Sequence, residues 1–144
     1  MLILVQINFL LSCFMLGLIT TTQVVSYPMF LKVKKDFNLY HASYVKKISK
    51  LVIPIMLAEF GIAIMLVAKM PSLLSNILLA ITIFIFASSF LIQVPNHEKI
   101  KNKPDSVLIK GLIKTNWIRV ILWSGKTIVS FKIMDDTYNR LPLS

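Results

Sequence analysis

The sequence has few of the residues that build metal sites, disulfides and phosphate-binding loops. Its 144 residues include one cysteine, two histidines, four glycines and six acidic side chains. Cys13 has no partner in the chain for a disulfide, and it lies in an apolar segment, where a cysteine is usually a small buried hydrophobe. No HxxxH, ExxH or CxxC spacing and no glycine-rich phosphate loop occurs. The sequence therefore contains no recognisable catalytic motif.

Charged residues are also scarce, and apolar residues take their place. Only 15% of the chain is charged and 56% is hydrophobic, with a mean hydropathy of +0.76. A soluble domain has about 25% charged and about 45–50% apolar residues. The apolar excess lies in runs long enough for a helix to cross a bilayer, which takes about 20 residues. Composition therefore predicts an integral membrane protein in contact with the lipid bilayer.

Four apolar runs predict an all-α fold, a four-helix transmembrane bundle that forms one domain over residues 1–144. The first run has no ionisable side chain and no basic n-region, so we interpret it as a retained anchor. After Asp36, a candidate N-cap, apolar and aromatic residues recur at helical spacing. This pattern predicts a short helix between the first two spans, either interfacial or a cytoplasmic extension of the second span. The predicted spans are 1–25, 48–68, 72–94 and 107–131.

The net charge of +10 is concentrated between the spans. The second connection holds Lys69 alone, whereas the first and third are rich in lysine. The positive-inside rule therefore places the first and third connections in the cytoplasm and both termini on the non-cytoplasmic side. Because topology explains the charge, nucleic acid is not a predicted partner. The lysines of the first and third connections are Lys32, Lys34, Lys35, Lys46, Lys47, Lys50, Lys99, Lys101 and Lys103.

Each predicted span has polar side chains on one helical face. In a lipid environment such side chains turn towards other helices, where they find hydrogen-bond partners. One stripe in each of four spans predicts a bundle with a partly polar interior. The stripes are Asn8, Ser12 and Gln23 in the first span, Glu59 with Ala63 in the second, Ser75, Thr82, Ser89 and Gln93 in the third, and Asn116, Arg119, Trp123 and Lys126 in the fourth.

Two charges inside the spans are predicted to pair. Counted from the cytoplasmic ends of their spans, Glu59 and Arg119 lie about 11 and about 12 residues deep, which is about 16 and 18 Å at 1.5 Å per residue. An unpaired charge at mid-membrane costs about 2.5–3.5 kcal/mol on insertion scales, and arginine binds a carboxylate at two points. The sequence predicts a Glu59–Arg119 ion pair, which either forms the floor of a ligand site or only fixes how the helices dock.

Two apolar runs end in Gln-Val with a proline close by, in TTQVVSYP and LIQVPNHEKI. Both endings, together with the two histidines, fall at the cytoplasmic side. We therefore predict a polar cavity there that binds a small amphipathic ligand, such as a quinone or a lipid headgroup. The sequence does not identify a catalytic residue or a cofactor, and both stay open. The predicted ligand-binding residues are Gln23, His41, Glu59, Gln93, His97, Asn116 and Arg119.

Two other functions remain open. The chain fits an accessory subunit of a larger membrane complex, in which partner proteins and assembly account for the polar groups. It also fits a metal- or haem-dependent membrane enzyme with His41 and His97 as ligands, because imidazole is a suitable ligand for such metals. A metal site that also included Glu59 is disfavoured, because His41 and Glu59 lie 18 positions apart, about 27 Å along a continuous helix.

Five ordered motifs, QVVSYPMF, YHASY, PIMLAE, QVPNH and NWIRVILW, resemble those of a group of small bacterial four-span membrane proteins. The group pattern is QVVHYPLF, a YH pair, PPMLxE, LQVPxH and NWxRTxxW, and the resemblance covers residues 23–123. It implies the bacterial inner membrane as the location but no reaction. The chain departs from the pattern at Ser26, where the group has histidine, and at Val120, where it has threonine. The resemblance implies that the group shares His41, Glu59, His97, Asn116, Trp117 and Arg119.

Overall fold

Four long helices make up most of the computed structural model, which describes residues 1–102 and 104–140. Three of them, the first to the third, are long and apolar enough to cross a membrane. No strand occurs in the described ranges, so the predicted all-α class is confirmed. The helices are α1 (Leu2–Phe30), α2 (Phe37–Lys69), α3 (Leu73–Asn102) and α4 (Ser106–Tyr138).

Short connections join consecutive helices, so neighbours in the chain are neighbours in space and run antiparallel. α1 and α3 each pack against both α2 and α4. One end of the helical core contains the 31–36 connection, the end of α3 and the start of α4. We call it the lysine end, because most lysines between the helices lie there. The opposite end contains the 70–72 connection and both described termini.

The buried interior alternates between apolar and polar layers along the helix axes. Three apolar clusters lie at the lysine end, in the centre and at the opposite end. Polar side chains fill the two levels between them and carry the candidate chemistry. In that order, the clusters include Tyr27, Phe30, Phe37, Ile100 and Leu112; Met15, Ile19, Met56, Ile85 and Trp123; and Val5, Ala63, Leu66, Leu78 and Ile133.

The helices extend beyond the predicted spans at the lysine end. α2 begins at Phe37, 11 residues before the predicted start at 48 (48 − 37), and continues without a break through Pro54. The segment predicted between the first two spans is therefore an extension of α2 rather than a separate interfacial helix. Asp36 precedes α2 with a left-handed backbone (φ 52°, ψ 31°), and its side chain makes no capping hydrogen bond. The predicted N-cap position is confirmed, but the capping role is wrong.

The predicted polar stripes face the interior. Lys110 and Lys114, which were not assigned to the stripe of α4, are exposed. Helical spacing thus identified the buried face of each helix correctly. The buried stripe residues are Asn8, Ser12, Gln23, Glu59, Ala63, Ser75, Thr82, Ser89, Gln93, Asn116, Arg119, Trp123 and Lys126.

α1 and α3 each widen into one π-helical turn shortly before a proline. The turns are Thr22–Ser26 and Ser89–Gln93, and Pro28 and Pro95 follow them. In each case the backbone amide just after the turn bonds a carbonyl five residues earlier. A proline has no amide hydrogen, and its ring clashes with the carbonyl four residues back, so a wider turn relieves the clash. Both Gln-Val motifs therefore mark π turns at the same end of the protein.

Candidate functional site

The deeper polar layer holds a buried ion pair between α2 and α4. Lys126 Nζ donates to Glu59 Oε1 at 2.6 Å, and neither side chain is accessible to solvent. Ser12 Oγ on α1 donates to the same carboxylate oxygen at 2.9 Å. One turn closer to the N-terminus of α1, Asn8 Nδ2 donates to Ser130 Oγ at 2.8 Å. This layer therefore ties α1, α2 and α4 together.

The predicted Glu59–Arg119 pair is wrong, because Glu59 binds Lys126 instead. The error came from counting depth from the predicted span starts, whereas α2 begins well before its span. Counted from the helix starts at Phe37 and Ser106, Glu59 lies 22 residues along α2 (59 − 37) and Lys126 lies 20 along α4 (126 − 106). Arg119 lies only 13 residues along α4 (119 − 106). Equal depth therefore matches Glu59 with Lys126.

The second polar layer joins the amides of the two π turns to α4. Gln23 Oε1 accepts a hydrogen bond from Asn116 Nδ2 at 2.8 Å, and Gln23 Nε2 donates to the Ile113 carbonyl at 3.1 Å. Gln93 Nε2 donates to Thr115 Oγ1 at 3.2 Å. The two glutamines thus meet the same turn of α4 from opposite sides. The gathering of Gln23, Gln93 and Asn116 that the sequence suggested is present in the structure.

Two histidines and a tyrosine form a hydrogen-bonded chain beside this layer. His41 Nε2 lies 2.9 Å from His97 Nδ1, and His97 Nε2 lies 3.0 Å from the Tyr27 hydroxyl. Both histidines lie in the helix extensions, outside the predicted spans. Burial lowers the pKa of His41 and lowers that of His97 to about 4, with smaller contributions at His97 from His41 and Arg119. Both imidazoles are therefore neutral at pH 7.

The two candidate metal ligands are adjacent to each other, as a shared site would require. In residues 1–102 and 104–140, however, no group of three or more histidine, cysteine, aspartate or glutamate side chains lies close enough to hold a metal ion. The third polar group beside His41 and His97 is the Tyr27 hydroxyl. Ser26, which stands where the resembling group has histidine, contributes no imidazole. The geometry is that of neutral side chains linked by hydrogen bonds.

A cavity of about 170 Å³ lies beside the histidine pair, between α1, α2 and α3. Exposed side chains of α2 and α3, among them Ile53, Phe90 and Val94, belong to its wall. The cavity therefore opens sideways, between these two helices. Most of the wall is apolar. Its polar side chains are Thr22, Tyr27, Tyr44, Ser49, Ser89, Gln93, His97, Glu98 and Arg119.

Arg119 is the buried charge of this cavity. Its side chain is 7% exposed and donates one long hydrogen bond, of 3.4 Å, to Asn116 Oδ1. Among the described residues it forms no salt bridge with a carboxylate. Arg119 Nε, the Tyr44 hydroxyl and Gln93 Oε1 all lack hydrogen-bond partners in the part of the chain that the structure describes. Buried polar groups of this kind cost free energy unless a partner binds them, so the cavity wall is suited to a polar group.

The predicted ligand-binding residues fall into three sets. Gln93, His97 and Arg119 line the cavity. Gln23, His41 and Asn116 lie behind the wall, and their hydrogen bonds hold the lining residues or each other. Glu59 lies in the deeper polar layer and not in the cavity wall. The seven residues therefore do not form one binding surface, although six of them belong to one connected region.

Sequence reasoning did not include Tyr27, Tyr44, Ser49 and Ser89 among the ligand-binding residues, although all four line the cavity. Tyr44 belongs to the apolar and aromatic pattern that follows Asp36, and Ser89 was assigned to a polar stripe. The available signal for Tyr27 was its place in QVVSYPMF, four residues after Gln23. Lys126 was recognised as inward-facing but was not matched with Glu59.

Comparisons of the chain with protein-family models, with curated proteins and with solved structures found no match. The feature that distinguishes this cavity is a buried arginine whose charge no carboxylate of the described residues neutralises.

Proposed function

We propose that the protein is a transmembrane four-helix bundle that binds a small amphipathic ligand, a quinone or a lipid headgroup, in the cavity between α1, α2 and α3. The length and apolar character of the first three helices support a membrane location. α4 supplies the fourth span, because its two deepest charges, Arg119 and Lys126, are buried and leave an apolar outer face. Large apolar side chains that face outward on the four helices include Ile3, Leu10, Leu57, Ile64, Phe84, Phe90, Ile121 and Ile128.

Helix length supports a position for the cavity near the membrane surface. Helices of 29 to 33 residues are about 44–50 Å long, which exceeds the hydrocarbon core by about 14–20 Å. We assign this excess to the lysine end, in the cytoplasm. Arg119, 13 residues along α4, then lies about 20 Å from that end of the helix. This depth corresponds to the boundary between headgroups and hydrocarbon, where the polar end of an amphipathic molecule resides.

The observation that carries the proposal is a buried guanidinium that has no carboxylate partner among the described residues and lies in the wall of a mostly apolar cavity. An isolated buried charge is costly, and the cost falls when a ligand supplies hydrogen bonds. The apolar wall fits the rest of an amphipathic molecule, and the opening between α2 and α3 connects it to the lipid. Ligand pockets in general combine an apolar lining with a few polar groups that fix orientation.

The ligand proposal is tested by extracting purified protein with organic solvent and quantifying the extract by mass spectrometry. Wild-type protein is expected to contain one amphipathic compound in near-stoichiometric amount, and Arg119→Gln is expected to lose most of it. Lys114→Gln is the matched control, because it removes a positive charge from an exposed position of the same helix. Equal ligand content in all three proteins would contradict the proposal. A stoichiometric partner protein with no small molecule would instead favour the accessory-subunit function.

The proposed orientation, with both termini on the non-cytoplasmic side, is tested by cysteine labelling in a Cys13→Ala background. Ser43→Cys and Asn139→Cys introduce thiols at exposed positions of opposite ends. In right-side-out inner-membrane vesicles, a membrane-impermeant maleimide is expected to label position 139 at once and position 43 only after permeabilisation. The reverse pattern would show that the lysine-rich connections do not set the topology.

A further inference from the structure

We propose that the ligand is a single-chain amphiphile with one negative charge, of the fatty-acid class, whose carboxylate binds Arg119 and whose chain leaves the protein between α2 and α3. This inference rests on the proposed function and narrows it, because a quinone headgroup is neutral. Three independent properties of the cavity support it: its charge, its hydrogen-bonding atoms and its size.

The charge of the inner cavity is one positive unit. An arginine side chain keeps its proton in proteins, so Arg119 carries one positive charge. Its guanidinium has five N–H donors, and a carboxylate can accept hydrogen bonds from two of them at once. Two other ionisable side chains at the inner wall are neutral at pH 7, because burial raises the pKa of Tyr27 and lowers the pKa of His97 to about 4. Glu98 is exposed and lies 3.7 Å from Lys101. One anionic group would therefore neutralise the buried charge.

The hydrogen-bonding atoms also favour an anion. Two of the three groups without partners, Arg119 Nε and the Tyr44 hydroxyl, are donors, and carboxylate oxygens accept from both types. The third, Gln93 Oε1, is an acceptor, and a bridging water or a hydroxyl group has to satisfy it. A quinone carbonyl would accept the same bonds but would leave the guanidinium charge without a counterion. Leaving a buried charge uncompensated is the costly alternative.

Size separates a single chain from a larger lipid. The cavity of about 170 Å³ is close in size to an apolar cavity of about 150 Å³ that binds one benzene molecule. It can hold a carboxylate and the first few carbons, and the remaining chain has to follow the opening between α2 and α3. The side chains there, Ile53, Phe90 and Val94, are apolar and exposed. A diacyl phospholipid would need room for its phosphate, its glycerol and two ester groups at the same place.

The test uses delipidated, full-length protein in neutral detergent and four probes: oleate, methyl oleate, a decyl-substituted benzoquinone and dioleoyl phosphatidylglycerol. Binding is measured by native mass spectrometry and by calorimetric titration. Oleate is expected to bind at least tenfold more tightly than methyl oleate, which has the same chain without the charge. Arg119→Gln is expected to remove this difference, and Lys114→Gln is expected to keep it.

Each other outcome overturns a defined part of the argument. If methyl oleate or the quinone binds wild-type protein as tightly as oleate, the anionic headgroup is rejected, while the proposed ligand-binding function stands. If phosphatidylglycerol binds more tightly than oleate, the single-chain ligand is rejected. If no probe binds and the untreated protein contains no ligand, the proposed function itself fails.

A second variant keeps the inference testable if Arg119→Gln does not fold. Ser49→Phe places a large side chain in the cavity wall without removing a charge. It is expected to abolish oleate binding while the far-UV circular dichroism spectrum stays helical. Unchanged oleate affinity in Ser49→Phe would show that the carboxylate binds elsewhere.

Discussion

Replacing Glu59 with alanine is expected to destabilise the protein by about 3–5 kcal/mol, because removing one partner of a buried ion pair leaves the other charge uncompensated. The carboxylate accepts hydrogen bonds from Lys126 at 2.6 Å and from Ser12 at 2.9 Å. Without it, the Lys126 ammonium has the face of the Trp123 ring, 4.8 Å away, as its remaining favourable neighbour. Denaturant unfolding in mixed micelles, followed by circular dichroism, measures the loss.

A double-mutant cycle measures the interaction energy between Glu59 and Lys126 separately from the contribution of each residue alone. Lys126→Met alone is expected to be as damaging as Glu59→Ala, since it leaves the carboxylate buried without its cation. The double variant Glu59→Ala with Lys126→Met is expected to be closer to wild type than either single variant, because both charges are then absent. Lys132→Met is the control: it removes an exposed lysine of α4 that lies 2.8 Å from Asp136, and we expect little effect. Additive losses in the cycle would contradict the ion pair.

This ion pair is better explained as a structural element than as part of the ligand site. Glu59 and Lys126 lie opposite each other on α2 and α4, beyond the central apolar cluster, whose Met15, Ile19 and Met56 belong to the cavity wall. A charged pair that must meet at one depth fixes how far the two helices are shifted along each other. The proposed cavity and the helix register are therefore controlled by different buried charges, Arg119 in the first case and Glu59 in the second.

The inward-facing side of each helix could be predicted from the sequence, but the register between helices could not. Polar side chains find no hydrogen-bond partners in lipid and are expected to face other helices, and Gln23, Ser89 and Asn116 are indeed buried. Register depends on where each helix begins. The lysine-rich extension of α2 is polar, so an apolar-run criterion starts that helix 11 residues too late (48 − 37). This offset matched Glu59 with Arg119 instead of Lys126.

The division between lining and supporting residues also required the structure. The sequence alone does not show which amides and imidazoles line the cavity. In the structure Gln23 bonds to Asn116 and His41 bonds to His97, so Gln23, Asn116 and His41 lie behind the cavity wall. Which polar groups satisfy each other depends on contacts between residues far apart in the chain. The π turns add to this, since each shifts the facing of the residues after it, and Tyr27 follows directly after one of them.

The second large effect that we expect is a loss of stability as the pH falls. His97 is neutral in the folded protein, where burial lowers its pKa from 6.5 to about 4. The unfolded chain binds a proton near pH 6.5, so the contribution of neutral His97 is complete above that pH and is lost progressively as the pH falls towards 4. The full loss amounts to about 3.5 kcal/mol at about 1.4 kcal/mol per pKa unit. Melting temperatures in detergent between pH 7.5 and 4.5 measure it.

The variant His97→Gln isolates this contribution from other groups that titrate in the same range. Glutamine cannot be protonated here, so the melting temperature of His97→Gln is expected to fall less steeply with pH than that of wild type, even if it is lower at pH 7. Glu98→Gln, a neighbouring change at an exposed position, is expected to keep the wild-type slope. Parallel curves for wild type and His97→Gln would mean that His97 does not lose a proton on folding. In that case His97 would bind a proton near its ordinary pKa of 6.5, and the inner cavity would gain a second positive charge as the pH falls through that value.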